Sequence, residues 1–585
     1  GSPASDEAAR ARHGHARERM TKWPPGPRAV ASYERAWLRQ DLVAGLVLST
    51  LLVPQGMAYA QLAGLPPITG LYTTVICLVG YAVFGPSRIL VLGPDSSLGP
   101  MIAATILPIV GSGGDPERAI ALASMMALIV GAIELTAGLA KLGFIADLLS
   151  KPTQIGYMNG LALTILVGQL PKLFGFSIDA DGLINEAKAF VDGLAAGDAV
   201  GAAVAIGLVS LVLILVLQRW LPRIPGVLVA VVVAIGAASA FNLADHGVSL
   251  VGTLPEGFPS PSWPSPVSDL PLLVAGALGI ALVSLTDTIS TASAFGARTG
   301  QEVDGNKEMI GIGAANVGAG LFQGFPVSTS GSRTAVAEQA GSKTQLTGLV
   351  GAGAIVLMLL LVPGLLRNLP QATLAAVVIA ASLSLADVAG TRRLWHQRRV
   401  EFMLSVAAFL GVALLGVLAG IAVAVGLSIL NVFRRAWWPH QATLGRVAGI
   451  PGYHDRGIYP DAEELPGLVI FRFDAALFFA NTRTFRDQIR RLAQTKPRPR
   501  WIVIAAEPIT DVDTTAADML AELDEELNAA GTSLVFAELK DPVRAKLERY
   551  ELIGPLDPAH FFRTLEEAVE AFREETGADW RASSA

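Results

Sequence analysis

One stretch of this chain is too polar and too broken to cross a bilayer as an ordinary helix, yet long apolar segments flank it on both sides. It runs Gln323-Gly324-Phe325-Pro326-Val327-Ser328-Thr329-Ser330-Gly331-Ser332-Arg333-Thr334. A second stretch of the same kind, Val91-Leu92-Gly93-Pro94-Asp95-Ser96-Ser97-Leu98-Gly99-Pro100, lies far upstream. Irregular backbone at membrane depth is tolerated only where protein buries it or where it lines a cavity. A pair of such breaks, one in each half of a chain, points to a substrate site between two repeats. This pair implies a transporter of anions.

Composition supports a membrane chain. Of 585 residues, 52% are hydrophobic and 16% charged, and the mean hydropathy is +0.50, a balance foreign to soluble globular domains. The net charge of -6 gives no basic surface for nucleic acid. Cys77 is the single cysteine, which excludes an intrachain disulfide and a thiol metal site. The sequence shows no P-loop, nucleophile–base set or His/Cys metal cluster, so an enzyme is not expected and no cofactor is called for.

We read fourteen apolar segments of roughly 15–25 residues as membrane helices. The first seven begin near Leu42, Thr69, Ser96, Ala119, Pro152, Gly201 and Pro225. The second seven begin near Leu272, Asn306, Ser328, Gln345, Gln371, Phe402 and Gly416, with Phe402 to Asn431 readable as one long segment or two short ones. With both termini cytoplasmic, inside loops hold most basic residues, from Arg88 and Lys141 through Arg219 and Arg223 to Arg392, Arg393, Arg398 and Arg399. Outside loops hold only Arg118, Lys172, Lys188 and Arg367, as the positive-inside rule requires. The breaks are each third in their half, and seven is odd, so the halves form an inverted repeat. The expected divisions are a tail over 1–40, a transport domain over 41–434 (repeats 41–244 and 270–434) and a soluble α/β domain over 455–585. In the last, Leu468–Phe473, Trp501–Ala505 and Ser533–Ala537 read as strands alternating with helices.

The two breaks carry the candidate site. A helix N-terminus presents unpaired N–H groups and the positive end of its dipole, an anion site that needs no charged side chain. Segment three is expected to start at Asp95-Ser96-Ser97 and segment ten at Ser328-Thr329-Ser330. The hydroxyls of Ser96, Ser97, Ser330 and Ser332 add donors, Gly331 admits close approach, and Arg333 adds positive charge. Packing of small residues is the competing explanation. Asp95 suits a helix cap; ionised, it repels an anion, so it either points away or takes a proton on binding. In the proline-interrupted first segment, Gln55 is a donor to the anion and Tyr59 lines the site, against a plain kink. Charged groups within spans are expensive and therefore functional by default. Asp287 and Thr291, four apart on one helix face, offer oxygen ligands to Na⁺. Alternatively Asp287 carries a proton, or bridges helices. Glu134 and Glu338 read as structural or interface residues.

The run Gly300-Gln301-Glu302-Val303-Asp304-Gly305-Asn306-Lys307-Glu308, followed by Phe322-Gln323-Gly324-Phe325-Pro326 and Ser332-Arg333, resembles the SulP (sulfate permease) anion transporters, whose animal relatives include prestin and pendrin. Val53-Pro54-Gln55-Gly56, Gly64-Leu65-Pro66-Pro67, Gly93-Pro94 and Lys343-Thr344-Gln345-Leu346 fit the same pattern. The resemblance implies a bacterial inner-membrane protein with a seven-plus-seven inverted repeat of core and gate domains. It also implies an elevator-like core movement, a cytoplasmic STAS domain and a homodimer. By that similarity Gln55, Tyr59, the start of segment three and Ser332-Arg333 line the anion site. Tyr59 stands where many members carry Phe, and the acidic Asp287 matches cation-coupled bacterial members, which favours symport. Asp513-Thr514-Thr515 falls where relatives of the STAS domain carry a phosphorylatable Ser or Thr, and also suits a helix cap.

The reading is a secondary active transporter of a small oxyanion across the lipid bilayer, sulfate first, with H⁺ or Na⁺ as coupling ion. Na⁺-coupled bicarbonate and H⁺-coupled dicarboxylate transport are rivals, since helix ends recognise charge and oxygens rather than one anion. An uncoupled anion channel and a membrane-bound sensor are the other classes.

Overall fold

The computed structural model describes residues 25–26, 33–111, 114–144, 149–180, 182–221, 224–255, 257–264, 270–554 and 556–580. Most of the expected tail over 1–40, as well as Arg223, lies outside them. The chain forms two compact units, residues 1–428 and 429–585.

The first unit is helical. Its first half holds α1 (Leu38–Leu62), α2 (Pro67–Phe84), α3 (Gly99–Val110), α4 (Pro116–Leu139), α5 (Lys151–Leu173), α6 (Leu183–Ala196), α7 (Gly201–Trp220) and α8 (Gly226–Ala240). The second holds α9 (Leu270–Thr299), α10 (Gly305–Leu321), α11 (Gly331–Gln339), α12 (Leu346–Leu361), α13 (Gln371–Leu385), α14 (Val388–Gln397), α15 (Arg399–Leu415) and the start of α16 (Val417–Trp437), whose residues from Ile429 on belong to the second unit. Among the described residues seven helical stretches are long and apolar enough to cross a membrane: 35–62, 67–84, 116–139, 201–220, 270–298, 371–397 and 417–437. Phe402 to Asn431 is two helices, broken at Gly416, whose φ of 90° is a glycine conformation.

Packing pairs the halves crosswise. Helix α4 lies against α10, and α2 against α12; α5 lies against α15, and α13 against α7. In each couple the second contact joins the elements at the same ordinal positions as the first, with the halves exchanged. Short α3 packs on α9, and short α11 on α1.

Both breaks differ from the expected helix starts. Leu92–Gly93 is a strand, β1, and Ser328–Thr329 is a strand, β2, and the helices begin only at Gly99 and Gly331. The strands pair antiparallel, Leu92 opposite Thr329 and Gly93 opposite Ser328. Two-residue strands carry no periodicity, which is why the sequence pattern misses them.

Side chains from five helices satisfy the broken backbone, as a dry environment demands. Thr73 accepts from Phe325 N, Asn316 accepts from Val327 N, Ser124 donates to Gly324 O and Ser284 donates to Val327 O. In the other half, Gln345 donates to Ser87 O and Leu90 O, Gln301 donates to Pro86 O, and Thr334 accepts from Val91 N. Tyr81 and Ser87 both donate to the buried carboxylate of Glu308. Several residues that carry the family resemblance are therefore backbone satisfiers.

The second unit is a six-stranded sheet, order β4-β3-β5-β6-β7-β8, with helices on both faces. The strands are β3 (Gln441–Val447), β4 (Ile450–Asp455), β5 (Leu468–Phe473), β6 (Trp501–Ala505), β7 (Ser533–Ala537) and β8 (Phe561–Phe562). Strands β5 to β8 run parallel, while β3 is antiparallel to both β4 and β5. On β6, Ile502 and Ile504 enter one apolar core, whereas Trp501, Val503 and Ala505 enter the other. A strand covered on both faces reads as a continuous apolar run. The helices are α17 (Thr482–Ala493), α18 (Thr514–Ala529), α19 (Asp541–Arg549) and α20 (Leu565–Thr576). The hairpin β3–β4 precedes the expected start at Asp455 and completes the sheet. Asp513 caps α18, accepting from Ala516 N at 2.7 Å, and also accepts from Phe479 N at 2.8 Å.

Asp41, at the start of α1, is fully buried. Its carboxylate accepts from Lys343 N at 2.7 Å, from the Thr344 hydroxyl at 2.7 Å and from the Thr347 hydroxyl at 3.0 Å, tying α1 to the start of α12. Hydrogen bonds to a charged acceptor are worth about 1.5–3 kcal/mol each. Asp41→Ala is expected to lower the thermal unfolding midpoint of the detergent-solubilised protein by several degrees, corresponding to at least about 2 kcal/mol. An unchanged midpoint contradicts this role.

Candidate functional site

Immediately beyond the paired strands, a cavity of about 1200 Å³ opens inside the first unit. Gln55 and Tyr59 reach it from α1, Asp95 and Ser96 from the turn before α3, Asp287 and Thr291 from α9, and Ser330, Gly331 and Ser332 from the start of α11. All of these were expected from sequence, and the structure brings them together. Close helix packing does not account for Gly331, where an added Cβ meets no neighbouring atom within 4 Å.

Two expected residues stand behind this surface rather than in it. Ser97 is fully buried. Its hydroxyl lies 2.8 Å from Asp95 and 3.2 Å from Asp287, so it links the two carboxylates. Arg333 is 1% exposed and does not line the cavity. Its Nη1 donates to Pro94 O at 2.6 Å, its Nη2 donates to Gly93 O at 3.4 Å, and Nη2 lies 3.5 Å from Asp95. A Cβ on Gly93 would sit 2.6 Å from Nη1, so glycine is what lets the guanidinium reach under the strand. Arg333 thus crosses from one broken segment to clamp the other.

Asp95 does not point away from the cavity: it lines it and lies beside Arg333. Its carboxylate accepts from Ser97 N at 2.9 Å, a cap-like contact, and faces Arg333. The pair of opposite charges leaves little net charge at this part of the cavity wall. The N-terminus of α11 has no side-chain cap; Ser330 Oγ contacts Ser332 Oγ at 3.0 Å instead. Gln154 of α5 also lines the cavity.

Gln154 was not anticipated. It is a polar residue inside an apolar segment, a signal present in the sequence but weaker than a charge. Glu134 and Glu338 stand apart from the cavity. Glu134 accepts from Asn316 at 2.7 Å, and Glu338 pairs with Arg298 at 3.2 Å. Among the described residues no three His, Cys, Asp or Glu side chains gather as a metal group.

Comparison with known proteins places this geometry. Residues 38–408 match the sulfate permease family, and residues 459–568 match the STAS domain. The chain belongs to the sulfate permease family. A probable sulfate transporter of Mycobacterium tuberculosis strain H37Rv is 42% identical over 554 residues, covering 94% of this chain and 98% of that protein. Probable sulfate transporter 3.3 of Arabidopsis thaliana is 30% identical over 567 residues, covering 92% and 88%. The fold is similar to that of the murine Solute Carrier 26 family member A9 anion transporter in the inward-facing state, with a TM-score of 0.87 at 24% identity over 95% of each chain. It is also similar to the transmembrane domain of a cyanobacterium bicarbonate transporter, BicA. There the TM-score is 0.60 at 23% identity, over 67% of this chain and 99% of that one. This is a multi-pass membrane protein of a transporter family, with a C-terminal STAS domain.

The buried pair makes a quantitative prediction. Removing one partner of a buried ion pair costs about 3–5 kcal/mol, because the other charge is left without compensation. Asp95→Ala and Arg333→Ala are each expected to lower the thermal unfolding midpoint, while the double variant loses less than the sum of the two. Additive losses would show that the two side chains do not act as a pair.

Proposed function

We propose that this protein is a secondary active transporter of small oxyanions, sulfate first, coupled to H⁺ or Na⁺. The observation that carries the reading is the uncapped start of α11 facing the turn before α3 across one cavity. Backbone amides and the serine hydroxyls of Ser96, Ser330 and Ser332 supply donors there, and helix dipoles favour negative charge. Gln55 and Tyr59 close the site from α1. The names of the curated relatives favour sulfate over bicarbonate or a dicarboxylate.

In this reading Arg333 acts through position. It fixes the two breaks against one another, and its charge is largely spent on Asp95 and two carbonyls. Asp287 is the coupling residue. Its carboxylate, with Ser97 and Thr291 nearby, offers oxygens that suit either a proton or a hard cation such as Na⁺. The link from Asp287 through Ser97 to Asp95 ties the coupling group to the backbone turn that presents the anion site.

The crosswise packing of the halves supports a seven-plus-seven inverted repeat. Helices α1 to α4 and α9 to α12 then form the core that carries the site. Helices α5, α7, α8, α13, α15 and α16 form the gate. Movement of the core past the gate exposes the cavity to each side in turn, as an elevator. A homodimer with both termini cytoplasmic in a bacterial inner membrane completes the reading.

Gly331→Val places a side chain into open cavity without meeting protein. It is expected to leave the unfolding midpoint unchanged and to raise the sulfate concentration for half-maximal uptake tenfold or more in proteoliposomes. Unaltered uptake would move the anion site elsewhere.

Uptake of labelled sulfate, bicarbonate and fumarate under separately imposed Na⁺ and pH gradients identifies substrate and coupling ion together. In the same assay Asp287→Asn is expected either to abolish uptake or to free it from the imposed gradient. Coupled uptake at the wild-type level by that variant contradicts the role of Asp287.

A further inference from the structure

A second cavity, of about 450 Å³, lies away from the anion site between α5, α13, α14 and α15. It is lined almost wholly by carbon, from Ala162 and Leu166 of α5 to Leu383, Val388, Phe402 and Phe409. Leu383 and Val388 are exposed as well, so the groove opens at the protein surface and not into the interior. Its depth comes from the close contact of α5 with α15. A Cβ on Gly156 would lie 2.0 Å from Ser405 O, and both residues line the groove.

The rim is basic. Helix α14 is amphipathic: Leu394 is buried, Val388 and Thr391 face the groove, and Trp395 stacks edge-on against Phe402 with centroids 4.8 Å apart. Arg392 is one turn on from the groove-lining Val388. Arg399 and Arg398 are three and four residues before the groove-lining Phe402. Arg398 pairs with Glu401, whereas Arg392 and Arg399 are exposed and have no carboxylate partner among the described residues. The polar group inside the groove is already occupied: Asn159 donates to Thr391 Oγ1 and accepts from Asp387 N.

An apolar slot beside uncompensated arginines, with a tryptophan at the boundary, matches one kind of molecule. We infer that this groove holds an acyl chain of an anionic glycerophospholipid, whose phosphate meets Arg392 and Arg399. A tryptophan at this level marks the interface between hydrocarbon and headgroups. Basic residues there attract anionic headgroups. At about 30 Å³ for a unit the size of a water, the groove holds roughly fifteen methylenes, close to one chain. The lipid joins elements α5, α13 and α15, which the proposed function assigns to the gate, but the inference needs no assumption about the transported anion.

The test uses the full chain in phosphatidylcholine vesicles containing phosphatidylglycerol. Either lipid is supplied in turn with dibrominated acyl chains, which quench tryptophan on contact. The Trp395 signal is the wild-type emission minus that of Trp395→Phe. Brominated phosphatidylglycerol is expected to quench it at least twofold more than an equal amount of brominated phosphatidylcholine. Arg392→Gln/Arg399→Gln should erase that preference, and Val406→Phe, which narrows the groove, should reduce quenching by both lipids. Arg393→Gln removes one charge from another face of α14 and should keep most of the preference. Equal quenching by the two lipids in the wild type would mean an unselective lipid annulus and overturn the inference. So would a preference that survives loss of both arginines, or the absence of quenching, as when a second copy of the chain covers the groove.

Discussion

The first unit depends on a guanidinium buried beneath two strands. Arg333 reaches from the helix after β2 to the carbonyls of Gly93 and Pro94 and to the carboxylate of Asp95. A buried cation is costly unless it is paired and its hydrogen-bonding capacity is used. Here the partners are the very backbone groups that the first break would otherwise leave unsatisfied. The two Nη groups therefore meet two needs, charge compensation and the peptide carbonyls of the opposite segment, while Nε has no hydrogen-bond partner among the described residues.

That arrangement leaves the ligand-facing side of the crossing free. The strands hold each other, so the helix starts beyond them need no protein caps. Ser330 does not cap α11, and no protein atom lies near where a Gly331 Cβ would be. An uncapped helix start that opens on a cavity is poised for an anion. The same neutralisation keeps Asp95 from opposing it. Asp287 also lines the cavity but has no such cation beside it, which supports the coupling role proposed for it over Asp95.

Much of this was legible in sequence. Apolar length located nearly every long helix within a few residues, because the hydrocarbon thickness sets that length. The strands of the second unit showed as short β-branched runs. The strand pair β1–β2 was not legible, since two residues have no period and their partner lies over two hundred positions away. Nor was the direction of Arg333: its charge is evident in the sequence, while its aim depends on Gly93 being small at the point of crossing. Asp41 escaped notice because it sits among the polar residues before the first apolar run. The hairpin β3–β4 was missed because Gly445, Arg446 and the edge position of β4 blur the alternation that marks a strand.

The proposed function requires the paired breaks to present their helix starts to one small oxyanion. The most direct measurement is a structure of the full chain soaked with selenate, located by the anomalous signal of selenium. A peak is expected within hydrogen-bond reach of the Gly331 and Ser332 amides, facing Ser96. A peak elsewhere in the protein, with that position filled by side chains or water alone, would contradict it.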